Sequence, residues 1–159
     1  MYKFALAVLL STFVSAQAFA AEYKGNLGAN FSTTEAIGIQ GELDMASLAN
    51  RAPVSVQAFW KYQQHDKNNA WDTSAIGVAG IYDFSSMVKM DEKAHPYAGA
   101  GLMSVIHTWT GTGASPAYNG VGSGLYVTAG LRYFFTPQVA ADINYNNFGE
   151  MTAGANLSF

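Results

Sequence analysis

Residues 125–135 read Leu125-Tyr126-Val127-Thr128-Ala129-Gly130-Leu131-Arg132-Tyr133-Phe134-Phe135. After Thr136-Pro137-Gln138, residues 139–146 read Val139-Ala140-Ala141-Asp142-Ile143-Asn144-Tyr145-Asn146. The period in both is two. Odd positions carry Leu, Val, Ala, Ile, Tyr and Phe, while even positions include Thr128, Gly130, Arg132, Asp142 and Asn144. Such alternation puts one set of side chains on each face of a strand. The three-residue, Pro-containing connection makes the pair a hairpin. With Phe135 facing Val139, counting outward sets Arg132 opposite Asp142 on the polar face, where Cβ atoms lie about 4.5–5.5 Å apart. A turn one residue looser moves the partner to Asn144 and leaves Asp142 a diagonal neighbour.

The same grammar runs outward through the chain. Thr152, Gly154, Asn156 and Ser158 alternate with Ala153, Ala155, Leu157 and Phe159. Ser55, Gln57, Phe59, Lys61 and Gln63 alternate with Val54, Val56, Ala58, Trp60 and Tyr62. Gly38, Gln40, Glu42 and Asp44 alternate with Ile37, Ile39, Gly41, Leu43 and Met45. Segments 23–31, 73–84 and 96–108 are weaker, and in 96–108 both faces are apolar or Gly, which leaves its phase open. The total is eight strands, an even number, each near the roughly 9–11 residues a tilted strand needs to cross a bilayer. The expected fold is all-β: an eight-stranded antiparallel transmembrane up-and-down β-barrel.

Composition points the same way. Of 159 residues, 50% are hydrophobic and 14% aromatic, but only 12% are charged, about half the share of an ordinary soluble domain. Mean hydropathy is +0.07, and no apolar run reaches the roughly 18 residues of a membrane helix. Eight Lys and Arg against eleven Asp and Glu leave no basic surface for nucleic acid. There is no Cys, which removes disulfides and thiolate chemistry. At the N-terminus Lys3, the apolar run from Phe4 to Leu10 and Ala18-Phe19-Ala20 fit a signal peptide. Residues 1–20 are expected to be cleaved on export, leaving 21–159 as one outer-membrane β-barrel domain.

Connections alternate in length, as outer-membrane barrels require. The stretches 63–72 and 109–123 are long, polar loops on the side away from the chain ends, hence extracellular; the second is Gly-rich and free of charge. The turn 136–138 is tight, while 46–52 and 85–95 on the periplasmic side are longer than usual. Phe31, Trp60, Tyr62, Trp71, Trp109 and Tyr145 fall near the loop side. Tyr23, Tyr82, Tyr133, Phe135 and Phe159 fall near the turn side, giving two expected interfacial belts.

The last eight residues, Thr152-Ala153-Gly154-Ala155-Asn156-Leu157-Ser158-Phe159, resemble the terminal β-signal of bacterial outer-membrane barrels, carried by Thr152, Gly154, Leu157 and Phe159. The stretches 76–84 and His95-Pro96-Tyr97-Ala98-Gly99-Ala100-Gly101-Leu102, with Leu131-Arg132-Tyr133, Thr136-Pro137, Ala141-Asp142 and Tyr145, extend the likeness. Together they resemble the small opacity-type, OmpA-like outer-membrane β-barrel family, the neisserial surface protein A group. The match covers 74–159 apart from the long loop; residues 21–73 match in strand pattern alone. The resemblance implies the outer membrane of a Gram-negative bacterium. It implies outer-membrane lipid and lipopolysaccharide as surroundings, and the barrel-assembly machinery as a partner. A chain ending at the β-signal is expected to lack the periplasmic domain that OmpA carries.

Chemistry-bearing residues are few. His65 adjoins Asp66, with Asp72 nearby, in a loop; a metal or base role competes with a solvated loop His. His95 is assigned no role of its own. His107 follows Ser104 by three, and that odd spacing places the two on opposite faces of a regular strand. No catalytic, metal or cofactor-binding residues are therefore assigned, and no cofactor is expected. The expected function is a non-enzymatic integral outer-membrane barrel whose surface-exposed loops serve envelope integrity, adhesion or recognition. One alternative is a lipid A-modifying outer-membrane enzyme, and a second is a narrow pore. An eight-stranded barrel is just wide enough for its own side chains. Gln40, Glu42, Gln57, Lys61, Arg132 and Asp142 would fill it, with Arg132 and Asp142 as a structural interior pair. A soluble barrel holding an apolar ligand would need the opposite arrangement, apolar inside and polar outside.

Overall fold

In a computed structural model, residues 24–64, 71–110 and 120–159 are described. They form eight strands: β1 (Gly25–Ser32), β2 (Ile37–Asp44), β3 (Val54–Gln63), β4 (Trp71–Asp83), β5 (Ala94–Trp109), β6 (Val121–Phe134), β7 (Val139–Asn146) and β8 (Met151–Ser158). Each pairs antiparallel with its sequence neighbour, and β8 closes on β1, so the sheet is a barrel without an edge. Closure satisfies every backbone ladder internally, which is the condition for strands to lie in lipid. The signal peptide expected at 1–20, Tyr23, and His65 with Asp66 lie outside the described residues.

One phase of every strand faces the lumen: even positions in β1, β2, β6, β7 and β8, odd positions in β3, β4 and β5. Asn26, Gln40, Gln57, Lys61, Thr128, Arg132, Asp142, Thr152 and Asn156 are all buried there. On the opposite phase Phe31, Ile76, Val78, Leu102, Leu125, Ile143 and Tyr145 stand exposed. Polar inside and apolar outside inverts a soluble barrel and matches a lipid-facing wall. The soluble apolar-ligand barrel does not fit this arrangement.

Between the two ends of the lumen sits an apolar layer of Phe59, Ala75, Ala79, Ile81, Tyr97, Met103 and Tyr126, with the Phe59 and Tyr126 rings 4.6 Å apart. It settles the phase of 96–108. Tyr97 and Met103 point inward, and Ala100, Leu102 and Ile106 outward. Small residues allow this tight layer: a Cβ on Gly77 would run into the Phe59 ring.

Three expectations need correction. Both long connections are shorter than expected. Gln63 ends β3 and Trp71 starts β4, leaving 64–70 and not 63–72. Trp109 ends β5, and Val121, Gly122 and Ser123 belong to β6, leaving 110–120 and not 109–123. Of these, 65–70 and 111–119 lie outside the described residues. At the start of β6 Gly fills the inward positions of a strand that alternates Val121, Ser123 and Leu125 outward, and period two persists although the composition looks like a loop. His95 lies in β5, paired with Arg132 in register, and not in a turn. Trp71 and Trp109 share the lumen-facing phase of Thr73 and His107, pack edge to face at 5.1 Å and do not join an outer belt. Phe31, Trp60 and Tyr145 remain outward at the loop end, and Tyr133 with Phe135 at the turn end. The longer chain-end connections are real. The one between β2 and β3 forms a helical turn from Met45 and closes with Asn50 and Arg51 at φ 51° and 66°.

Candidate functional site in the barrel interior

Among the described residues, ionic clusters built on Arg132 and on Lys61 lie on either side of the apolar layer. Toward the chain ends, Arg132 on β6 donates from Nε to Asp142 Oδ2 on β7 at 3.2 Å, the direct cross-strand partner. It also donates from Nη2 to Glu42 Oε2 on β2, across the lumen, at 2.7 Å. Asp142 is saturated by Tyr97 Oη at 2.7 Å, Asn144 Nδ2 at 3.1 Å and Asn156 Nδ2 at 3.4 Å. Glu42 also accepts from Ser55 Oγ at 2.5 Å. The guanidinium carbon lies 5.4 Å from the Tyr97 ring centroid. A buried charge is tolerable only when paired and hydrogen-bonded to this extent.

Toward the loops, Lys61 Nζ on β3 donates to Glu150 Oε2 at 2.5 Å. Glu150 sits in the connection between β7 and β8 and also accepts from Asn146 Nδ2 at 2.8 Å and Thr34 Oγ1 at 3.0 Å. Burial works to raise its pKa, but the Lys61 ammonium and the hydroxyl and amide donors outweigh it and hold the carboxyl below the usual range. Through Glu150 the β1–β2 and β7–β8 connections are tied to Lys61 on the wall.

A cavity of about 800 Å³ opens at the chain-end mouth, lined by Lys24, Glu42, Asp44, Arg51, Asp83 and His95 among others. A smaller one, about 180 Å³, lies under the loop end beside Lys61, Met103 and Glu150. They share no lining residue. Phe59, Tyr97, Tyr126 and the Arg132 cluster stand between them.

The remaining candidates scatter. His95 Nδ1 meets Asp83 Oδ2 at 2.7 Å in the chain-end cavity, and its ring packs edge-on against Phe134 at 4.8 Å. His107 Nδ1 is 3.0 Å from Thr73 Oγ1 on the lumen phase. Ser104 Oγ is 3.0 Å from Ser123 Oγ, on the outward phase. Ser104 and His107 are therefore not brought together. Of the terminal residues, Thr152 is buried within reach of Lys61, and Gly154 pairs with both Asp142 and Asn30. Leu157 faces outward, and Phe159 exchanges backbone hydrogen bonds with Gly25. Sequence reading missed Glu42 as the second partner of Arg132, and it missed the Lys61–Glu150 pair. Both acids and both cations sit on lumen-facing positions or mouths, but their pairing depends on barrel closure and leaves no local pattern.

Residues 6–158 match the family described as the outer membrane protein beta-barrel domain. Among solved structures the chain is similar to neisserial surface protein A, at 19% identity over 86% of this chain and 96% of that one, TM-score 0.59. It is also similar to the N-terminal β-barrel domain of Pseudomonas aeruginosa OprF, at 16% identity over 86% and 96%, TM-score 0.52. Yersinia pestis Ail in a phospholipid nanodisc follows at 12% over 87% and 100%, TM-score 0.52. At these identities the likeness is one of fold. No curated protein matches the sequence. The family match over nearly the whole chain, on a closed eight-stranded barrel with an apolar wall, means that this chain belongs to the outer membrane protein beta-barrel domain family.

Proposed function

We propose that this integral outer-membrane barrel is non-enzymatic and acts through its surface-exposed loops, in envelope integrity, adhesion or recognition. The observation that carries the reading is the lumen. Two ionic clusters and an aromatic layer occupy it, while β3 with β4 and β5 with β6 are joined on the side away from Gly25 and Phe159. A filled lumen supports the loops as the working surface over the pore reading. Ser104 and His107 lie on opposite faces with separate partners, which counts against that pair as the centre of a lipid A-modifying enzyme. In this reading residues 1–20 are cleaved on export. Thr152, Gly154, Leu157 and Phe159 present the last strand to the barrel-assembly machinery, and lipid with lipopolysaccharide surrounds the wall.

The test replaces residues 111–119 by a short turn in the chromosomal gene. The heat-modifiable band in the outer-membrane fraction should persist, while detergent sensitivity or surface adhesion changes. Lipid A mass spectra should be the same with and without the gene. Altered acylation would overturn the non-enzymatic reading, and unchanged envelope behaviour after loop removal would overturn the loop role.

A further inference from the structure

The connection between β4 and β5, residues 84–93, is long for the chain-end side of a small barrel. Its backbone makes one turn in which the Met87 and Val88 amides both donate to the Phe84 carbonyl, at 2.9 and 3.1 Å. Met87, Val88 and Met90 are 70%, 42% and 49% exposed. Three neighbouring apolar side chains open to water in a charge-poor protein need a reason.

Their position supplies one. Tyr82 and Phe84 continue the outward phase of β4, and their rings lie 4.8 Å apart. The Tyr82 hydroxyl donates to Met87 Sδ at 3.8 Å. Met87 is thus held against the outside of the aromatic rim, where the lipid-facing wall ends, and not beneath the lumen. Ring hydroxyls at that height mark the level of the headgroups. The segment's charges cancel, Lys89 and Lys93 against Asp91 and Glu92, and Asp91 Oδ1 is engaged by the Lys93 amide at 2.9 Å.

We propose that residues 84–93 form an interfacial anchor, with Met87, Val88 and Met90 seated in the headgroup–acyl boundary of the periplasmic leaflet. The occupant is a zwitterionic phospholipid surface. Continuity with the lipid-facing wall brings the segment to that boundary, which apolar faces of interfacial segments enter by about 5–10 Å. Flexible Met side chains suit an irregular, fluid neighbour. Charge balance leaves the apolar contact as the driving force, with no call for anionic lipid. The inference rests on the reading of the chain as a barrel spanning the outer membrane with its ends in the periplasm.

Because the chain has no Cys, single-Cys variants label cleanly. Met87→Cys, Met90→Cys, Asp91→Cys and Leu102→Cys would each carry an environment-sensitive fluorophore, in protein purified from outer membranes and reconstituted in phosphatidylcholine vesicles. Labels at 87 and 90 should be quenched more by a lipid nitroxide near the headgroup than by one deep in the acyl chain, and iodide should barely reach them. The label at 91 should be iodide-accessible. Leu102 lies outward in mid-barrel and reports on insertion alone. If 102 is quenched by the deep nitroxide but 87 and 90 respond to iodide like 91, the anchor is overturned. If lipid quenching at 87 and 90 requires added phosphatidylglycerol, the zwitterionic occupant is overturned. If 102 escapes lipid quenching altogether, the membrane-spanning reading itself fails.

Discussion

Arg132 donates to Glu42 across the lumen and to Asp142 along the sheet, so removing either acid leaves the guanidinium one partner. Arg132→Met instead strands two buried carboxylates. It should cost the most, about 3–5 kcal/mol, against about 1–3 kcal/mol for Asp142→Ala, where the lost acceptor chiefly orphans Tyr97. Urea unfolding of the singles and of the Asp142→Ala/Arg132→Met double should show coupling, because residues sharing one network are not additive. Additive singles would mean the network is not formed. Glu150 offers a second test. Its carboxyl is held below the ordinary value, so its contribution is complete above the unfolded pKa near about 4.3 and fades as pH falls through the folded one. Glu150→Gln should therefore be less stable than the parent at neutral pH, and the gap should narrow as pH falls below the unfolded value and close once it passes the folded one. A gap constant with pH would remove the Lys61 pairing as its cause. The neighbour relation of Arg132 and Asp142 is legible because one short turn fixes the register between them. Glu42 is not legible, because ninety residues and a closed circumference intervene before β2 meets β6 across the lumen.

At the scale of strands, period two identifies β2, β3, β6, β7 and β8 along with their faces, since each offers polar residues to one side and apolar residues to the other. β5 resists such reading. Pro96, Ala98 and Ala100 alternate with Tyr97, Gly99 and Gly101, and neither set is polar. Its phase comes from a tertiary fact: the Tyr97 hydroxyl reaches Asp142. The start of β6 is obscured for the opposite reason, because Gly122 and Gly124 look like loop residues although they occupy inward strand positions. The glycines of β6 differ along the strand in what surrounds them. A Cβ on Gly130 would collide with the Ile143 carbonyl, Asn144 and the Tyr97 ring, whereas at Gly122 nothing lies within 4 Å. Gly130→Ala should destabilise by about 1–3 kcal/mol through overpacking. Gly122→Ala should stay within about 0.5 kcal/mol. Equal effects in urea unfolding would mean that β6 does not follow this face assignment.

For the whole molecule, the up-and-down topology ties every connection to a side. Gly25, Phe159 and the connections 45–53, 84–93 and 135–138 share one rim, while 33–36, 147–150 and the strand ends Gln63, Trp71, Trp109 and Val121 share the other. Alternating hydrophobicity was enough to propose this arrangement because lipid outside and a narrow polar lumen inside impose opposite demands on successive residues. The depth of each ring was less legible, as Trp71 and Trp109 show by turning inward at the mouth. The loop rim is expected to face the outside of the cell. Insertion of a short epitope at Ser115, followed by antibody labelling of intact cells, tests it most directly. Labelling of intact cells should equal that after lysis, with the heat-modifiable band retained. Labelling that appears only after lysis would contradict this orientation.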